Sequence, residues 1–269
     1  MTGKPTGPTE VTALVDDVPI IYVRPEPGLN RPSLALWLPY LTGAKEDAIP
    51  VLRQLAAAGY LAISLDPWQH GERAHETPDQ IAARVFADFR NHMWPILGHT
   101  TRDAKRVIDW AVTDLAQPDV IAGGVSMGGD VAVALAGIDT RVRRVAAIVA
   151  TPDWTRPGMR ELFDRSRLVD QGHAGPAARS FYDRLDPITH LDAYARGPAI
   201  AFENGAEDTH IPLDGAIRFR DALRTAHPNL TDRVRVTAHP GVDHLDGAQD
   251  KTLLNRGLDW LLRSPRTDC

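Results

Sequence analysis

The sequence predicts an α/β fold: a mostly parallel sheet with helices packed on its faces. Three observations carry this. Short apolar runs alternate along the chain with longer segments of helical spacing, which is the signature of βαβ units. Several runs are apolar at nearly every position, as strands buried on both faces require. Each residue with candidate chemistry falls in a loop directly after such a run, where open α/β sheets place their ligands.

Taken in order, residues 11–15 and 18–24 read as a hairpin pair turning at Asp16-Asp17. Residues 34–38 form a buried strand. Residues 46–58 carry Ile49, Leu52, Leu55 and Ala56 at helical spacing, and Gly59 follows as a stop signal. Residues 60–65 are a second buried strand ending at Asp66-Pro67. Helices are expected over 78–90 and 102–115. A third buried strand, 120–125, runs straight into Ser126, and a helix of small residues covers 128–136. A strand over 142–150 precedes a charged stretch, 155–185, read as an inserted helical cap. Strands at 198–203 and 233–237 flank a helix over 213–225, and an amphipathic helix over 251–262 closes the chain.

Of the 269 residues, 43% are hydrophobic, enough for one large core. The expected organisation is a flexible tail over residues 1–10, rich in Pro, Gly and Thr, and a single domain over 11–269. The net charge of −5 leaves no basic excess for phosphate backbones, so nucleic acid is not an expected partner. The one cysteine, Cys269, forms no internal disulfide and is poorly placed for a nucleophile. No paired-cysteine zinc spacing occurs, so no metal is expected. The N-terminus has no apolar signal core, and no run of about 18 apolar residues exists. A cytoplasmic location with no membrane partner is the expectation. The oligomeric state stays open, a homodimer among the options.

The chemistry centres on Gly124-Val125-Ser126-Met127-Gly128. Glycines two before and two after a serine permit a sharp strand-to-helix turn that lifts the hydroxyl above the sheet. The same turn aims the next amide, that of Met127, at a developing oxyanion. With six serines and 21 glycines in the chain, chance yields the pattern about 0.04 times. A serine hydroxyl needs a base, and in this arrangement an acid and then a histidine follow in chain order. Asp208 sits in the loop after residues 198–203, with Glu207 as the rival. His244 sits in the loop before the last helix, with His239 as the rival. Asp208 would hold the imidazole in one tautomer.

These residues, with Thr42-Gly43-Ala44-Lys45-Glu46, Ala58-Gly59-Tyr60, the segment from Asp66 to Arg73 and Leu185-Asp186-Pro187, give a resemblance that spans residues 33–262. The chain resembles the dienelactone-hydrolase and prolyl-oligopeptidase branch of the α/β-hydrolases, nearest to small single-domain bacterial serine esterases. The resemblance implies an α/β-hydrolase fold, ester cleavage through a Ser126-Asp208-His244 triad, and no cofactor. Dienelactone hydrolase itself uses cysteine where this chain has Ser126, so that enzyme's own reaction is not carried over.

One departure stands out. Related esterases carry His-Gly where this chain has Pro39-Tyr40, and proline has no amide hydrogen to donate. The second oxyanion donor is then the amide of Tyr40 or of Leu41, or the Tyr40 hydroxyl, or Tyr40 simply packs beside the site. Losing one such donor typically costs about 10²–10³ in turnover. The resemblance makes the 66–71 loop a structural wall, with His70 a weak rival as a second base. Trp68, Trp94 and Trp154 are candidates to line the pocket, Trp68 and Trp154 foremost, although core packing explains aromatic residues as well. Arg156, Arg160, Arg165, Arg167 and Arg179 in the cap suit either an anionic substrate or a solvated face. The expected substrate is a small ester, thioester or lactone. The alternatives are a thioesterase, cyclase or acyltransferase using the same triad, and a binding protein that leaves the site unused.

Overall fold

The computed structural model describes residues 9–26 and 31–263. Cys269 and residues 1–8, most of the expected tail, lie outside the described residues. Eight strands form one sheet in the order β1-β2-β4-β3-β5-β6-β7-β8. These are β1 (Glu10–Val15), β2 (Val18–Val23), β3 (Leu34–Leu38), β4 (Leu61–Leu65), β5 (Val120–Val125), β6 (Val142–Ile148), β7 (Ala199–Gly205) and β8 (Val234–His239). The β1–β2 and β2–β4 pairs are antiparallel and every later pair is parallel. The order reverses between β3 and β5, and the reactive loops rise from the carboxyl ends beside that point.

Alternation along each buried strand divides the core between the two faces of the sheet. Leu34, Leu36 and Leu38 face one side, together with α2 (Pro78–Ala87), α3 (Phe89–Asp114), α4 (Met127–Ile138), α5 (Pro176–Leu185) and α6 (Asp214–Ala226). Ala35 and Trp37 face the other, beneath α1 (Ile49–Ala57) and α8 (Lys251–Leu261). A short α7 (His244–Gln249) precedes α8 and begins at the candidate base.

Two expectations need correction. Where helices over 78–90 and 102–115 were expected, α2 ends at Ala87, Asp88 breaks the chain at φ −152°, and α3 then runs unbroken for 26 residues through Pro95. Gly98 is not a stop. A Cβ there would lie 2.1 Å from the Phe181 ring, so this glycine lets α5 press against α3. The cap over 155–185 is helical only in α5. Its first half is an irregular loop closed by an antiparallel bridge between Arg160 and Leu168. Pro157 and Gly158 (φ 80°) resist a helix, and Asp164 turns the tip by accepting from the Ser166 amide at 3.1 Å.

Candidate active site

Ser126 sits between β5 and α4 at φ 52°, ψ −121°. That left-handed backbone costs a non-glycine residue on the order of 1–3 kcal/mol and persists only where its surroundings enforce it. Here the Ser126 amide donates to the Ile148 carbonyl at 2.8 Å. A Cβ on Gly128 would lie 2.0 Å from the Leu38 carbonyl oxygen, and one on Gly124 would lie 2.5 Å from the Gly128 carbonyl carbon. Both glycines of the motif are therefore forced by backbone contact, and the turn they allow leaves the Met127 amide among the free donors at the start of α4.

The loops after β7 and β8 bring two partners to this serine. Ser126 Oγ lies 3.1 Å from His244 Nε2, and His244 Nδ1 lies 2.8 Å from Asp208 Oδ2. A carboxylate only accepts, so His244 Nδ1 carries the proton and Nε2 is left as the base toward Ser126. The other Asp208 oxygen accepts from the amides of His210 (2.9 Å) and Ile211 (2.7 Å), which fixes the carboxylate in place. Glu207, the rival acid, points to solvent. His239, the rival base, is bound to Glu203 at 2.8 Å and does not reach the serine. His70 is buried with its Nδ1 on the Trp68 carbonyl at 2.9 Å, and burial lowers its pKa.

A cavity of about 670 Å³ opens over Ser126 and His244. Leu41, Phe86, Phe89, Met93 and Leu245 make its walls largely apolar. Neither favoured tryptophan lines it. Trp154 is fully buried, its amide held by Asp186 at 2.7 Å and its carbonyl by the Trp94 indole at 2.9 Å. Trp68 stacks on His99 at 4.4 Å, and Trp94 stacks on Tyr182 at 4.5 Å. The aromatic wall comes instead from Phe86 and Phe89 at the α2–α3 junction. A correct reading of that helix break would have revealed them.

Tyr40 and Leu41 also line the cavity, and Tyr40 is 43% exposed. Burial, and then the Asp47 carboxylate, raise the Tyr40 hydroxyl's pKa.

Of the five cap arginines only Arg156 lines the cavity. Arg165 pairs with Asp243, Arg167 with Glu161 at 3.4 Å and Arg179 with Asp183 at 2.7 Å, while Arg160 binds the Arg165 and Ser166 carbonyls. Arg156 pairs with the wholly buried Asp130 of α4, and its guanidinium lies 5.0 Å from the centre of the Phe89 ring. Burial raises the Asp130 carboxyl's pKa against the pull of Arg156. His210, unmarked in the sequence beyond standing beside Asp208, also lines the cavity, 5.0 Å from the His244 ring. Its Nδ1 meets the Arg160 carbonyl at 2.9 Å and so carries its proton. Burial, with His244 and Arg156 nearby, lowers its pKa to about 3, so it stays neutral at ordinary pH. Among the described residues no cluster of side chains suits a metal ion, and no helix is long and apolar enough to cross a membrane.

A sequence profile of the prolyl oligopeptidase family matches residues 88–265. No curated protein matches the sequence. Among solved structures, TT1662 from Thermus thermophilus is 22% identical with a TM-score of 0.70, over 96% of this chain and 99% of that one. Esterase 2 of Thermogutta terrifontis, solved phosphoramylated by tabun, is 16% identical with a TM-score of 0.61, over 95% of this chain and 93% of that one. The acylaminoacyl peptidase of Pyrococcus horikoshii is 15% identical with a TM-score of 0.65, over 94% of this chain but only 40% of that one. At these identities the likeness is one of fold.

Proposed function

We propose a function from one premise: the chain belongs to the prolyl oligopeptidase family of serine hydrolases. Within it, the reading best supported is cleavage of a small carboxylic ester, thioester or lactone through an acyl-enzyme on Ser126, with His244 as base and Asp208 as its orienting acid. The contact chain from Ser126 Oγ through His244 to Asp208 carries this reading, because each atom has the donor or acceptor role the chemistry needs.

In the first half-reaction His244 Nε2 takes the Ser126 proton as Oγ attacks the carbonyl carbon. The negative charge on the carbonyl oxygen falls to the Met127 amide and to the amide of Tyr40 or Leu41. The C–O bond to the leaving group then breaks, and His244 returns the proton to the departing alcohol. Water enters and gives a proton to His244 as its oxygen attacks the acyl carbon; the C–O bond to Ser126 then breaks, and His244 returns the proton to Ser126 Oγ as the acid leaves. Asp208 stabilises the imidazolium in both halves. The near-neutral Arg156–Asp130 pair and the uncharged His210 leave His244 as the group beside Ser126 that cycles through a charge.

The family match also supports a second reading, in which the acyl group is an aminoacyl residue and the scissile bond an amide. A panel of short and aromatic esters, thioesters, lactones and aminoacyl anilides separates the two. A Ser126→Ala variant is expected to lose more than about 10³-fold in kcat while its circular dichroism is retained. Wild-type-like turnover in that variant, or no labelling of Ser126 by a fluorophosphonate in the parent, sinks the assignment. A thioesterase, cyclase or acyltransferase using the same residues would instead yield acyl transfer products when alcohols or amines compete with water.

A further inference from the structure

Arg156 is built in an unusual way for a residue that only ties two segments together. It is a non-glycine residue at φ 42°, and such strained positions cluster where a side chain must be aimed. Its amide donates to the Asp153 carbonyl at 3.2 Å and its own carbonyl receives the Gln171 side-chain amide at 3.2 Å, so the backbone is held on both sides. The residue is 3% exposed.

Its guanidinium is only partly used by the protein. Nη2 donates to Asp130 Oδ2, while the other Asp130 oxygen receives the Thr151 amide at 2.7 Å. Nε is buried with no partner. Nη1 donates to nothing among the described hydrogen bonds, and Arg156 lines the cavity. A guanidinium offers five donors in a planar fork that matches a carboxylate. Buried donors without partners are rare in native structures and point to an absent ligand or to a functional role. Phe86, Phe89 and Met93 give the cavity around Arg156 a body of apolar contact, and the carboxylate in its lining is that of Asp79, which is exposed. Asp130 offsets the cost of burying the cation without filling its fork.

We infer that the substrate carries a carboxylate set beyond an apolar stem from the scissile ester, and that Arg156 is the residue that selects it. The inference rests on the acyl-enzyme reading above and narrows it to acidic esters. The carboxylate stands either on the acyl side, as in a half-ester of a dicarboxylic acid, or on the alcohol side, as in an ester of an ω-hydroxy acid.

The test compares kcat/KM for mono-4-nitrophenyl esters of succinic, glutaric and adipic acids with chain-matched diesters whose far end is a methyl ester. A second arm compares butyrate esters of ω-hydroxy acids with those of the corresponding ω-hydroxy amides. The wild type is expected to prefer the acid by at least ten-fold at one chain length in one arm, and the arm identifies the side. Removing the cation alone would strand a buried carboxylate, so the variant is D130N/R156Q, which keeps polar groups at both positions without charge. It is expected to lower the acid-to-neutral ratio at least ten-fold. In the wild type, free glutarate or adipate is expected to slow fluorophosphonate labelling of Ser126. That measurement, with the wild-type ratios, decides the matter if the variant does not fold. Ratios at or below one at every length in both arms, or a preference that survives in D130N/R156Q, overturn the inference. In either case, continued labelling of Ser126 leaves the acyl-enzyme reading standing. Absence of labelling removes that reading instead.

Discussion

Two histidine–carboxylate pairs stand side by side on the loops and ends of β7 and β8, and they have the same contact distance. His244 meets Asp208 at 2.8 Å and His239 meets Glu203 at 2.8 Å. The ring nitrogen and the surroundings differ: His244 uses Nδ1 and His239 uses Nε2. Asp208 is held by two backbone amides, so it has one imidazole and no competing cation. Glu203 is shared among His239, Arg235 at 2.6 Å and Arg256 at 3.1 Å, with Thr237 at 3.3 Å. The first pair leaves its imidazole's other nitrogen facing Ser126. The second spends its imidazole on binding β8 to β7. A histidine beside a buried carboxylate is thus no sign of catalysis by itself; the third contact decides, and here only His244 has a nucleophile at 3.1 Å.

The sharpest test replaces each carboxylate by its amide. Asp208→Asn places an amide nitrogen where an acceptor is needed and favours the wrong His244 tautomer, so kcat is expected to fall by about 10³–10⁴ with the fold intact. Glu203→Gln is expected to act on stability instead. It removes the shared charge from two arginines that are 32% and 46% exposed and can turn to water, so the loss should be about 1–3 kcal/mol, read in urea titrations. A large loss of kcat in Glu203→Gln with little loss of stability would break the distinction between the pairs.

The same cluster sets a pH dependence. Burial alone would raise the Glu203 pKa, but His239, Arg256 and Arg235 together outweigh it and hold the carboxyl below the usual glutamate value of 4.5. A group whose pKa is depressed by folding adds stability above its unfolded pKa and loses it as the pH falls through the folded one. The stability difference between wild type and Glu203→Gln should therefore be full near pH 7 and shrink below about pH 4.5. A difference that stays constant down to pH 3 would mean that the cluster does not hold the charged form.

Most of the sheet was legible because strands buried on both faces are apolar at nearly every position, as residues 34–38 are. Leu34, Leu36 and Leu38 face one layer, and Ala35 and Trp37 the other. The serine motif was legible because its glycines answer backbone clashes that no side chain can relieve. The cavity walls were not. Trp68 and Trp154 suit a pocket and a core equally well, and only packing between distant segments buried Trp154 and laid the half-buried Trp68 against the core beside His99. Arg156 stood out no more than Arg165 or Arg179 in sequence, because what separates them is Asp130, 26 residues away, and a positive φ that no local pattern announces. The α2–α3 junction lies within the helix expected over 78–90, and α3 runs on through Pro95 and Gly98, where the glycine accommodates Phe181.

The smallest effect is the most diagnostic. His239→Gln keeps a side-chain N–H able to reach Glu203 and leaves Arg235, Arg256 and Thr237 in place, so both stability and activity should move little. The expected change in kcat/KM is under about three-fold, because no proton in the proposed reaction passes through this ring and each three-fold step is only about 0.65 kcal/mol. The stability loss should be smaller than that of Glu203→Gln, since the buried carboxylate keeps both cations. Both variants are measured on one ester and in one urea series. A fall of 100-fold or more in kcat/KM for His239→Gln, with stability near wild type, would place the working base five residues earlier in the chain. The 3.1 Å contact between Ser126 and His244 would then need another explanation.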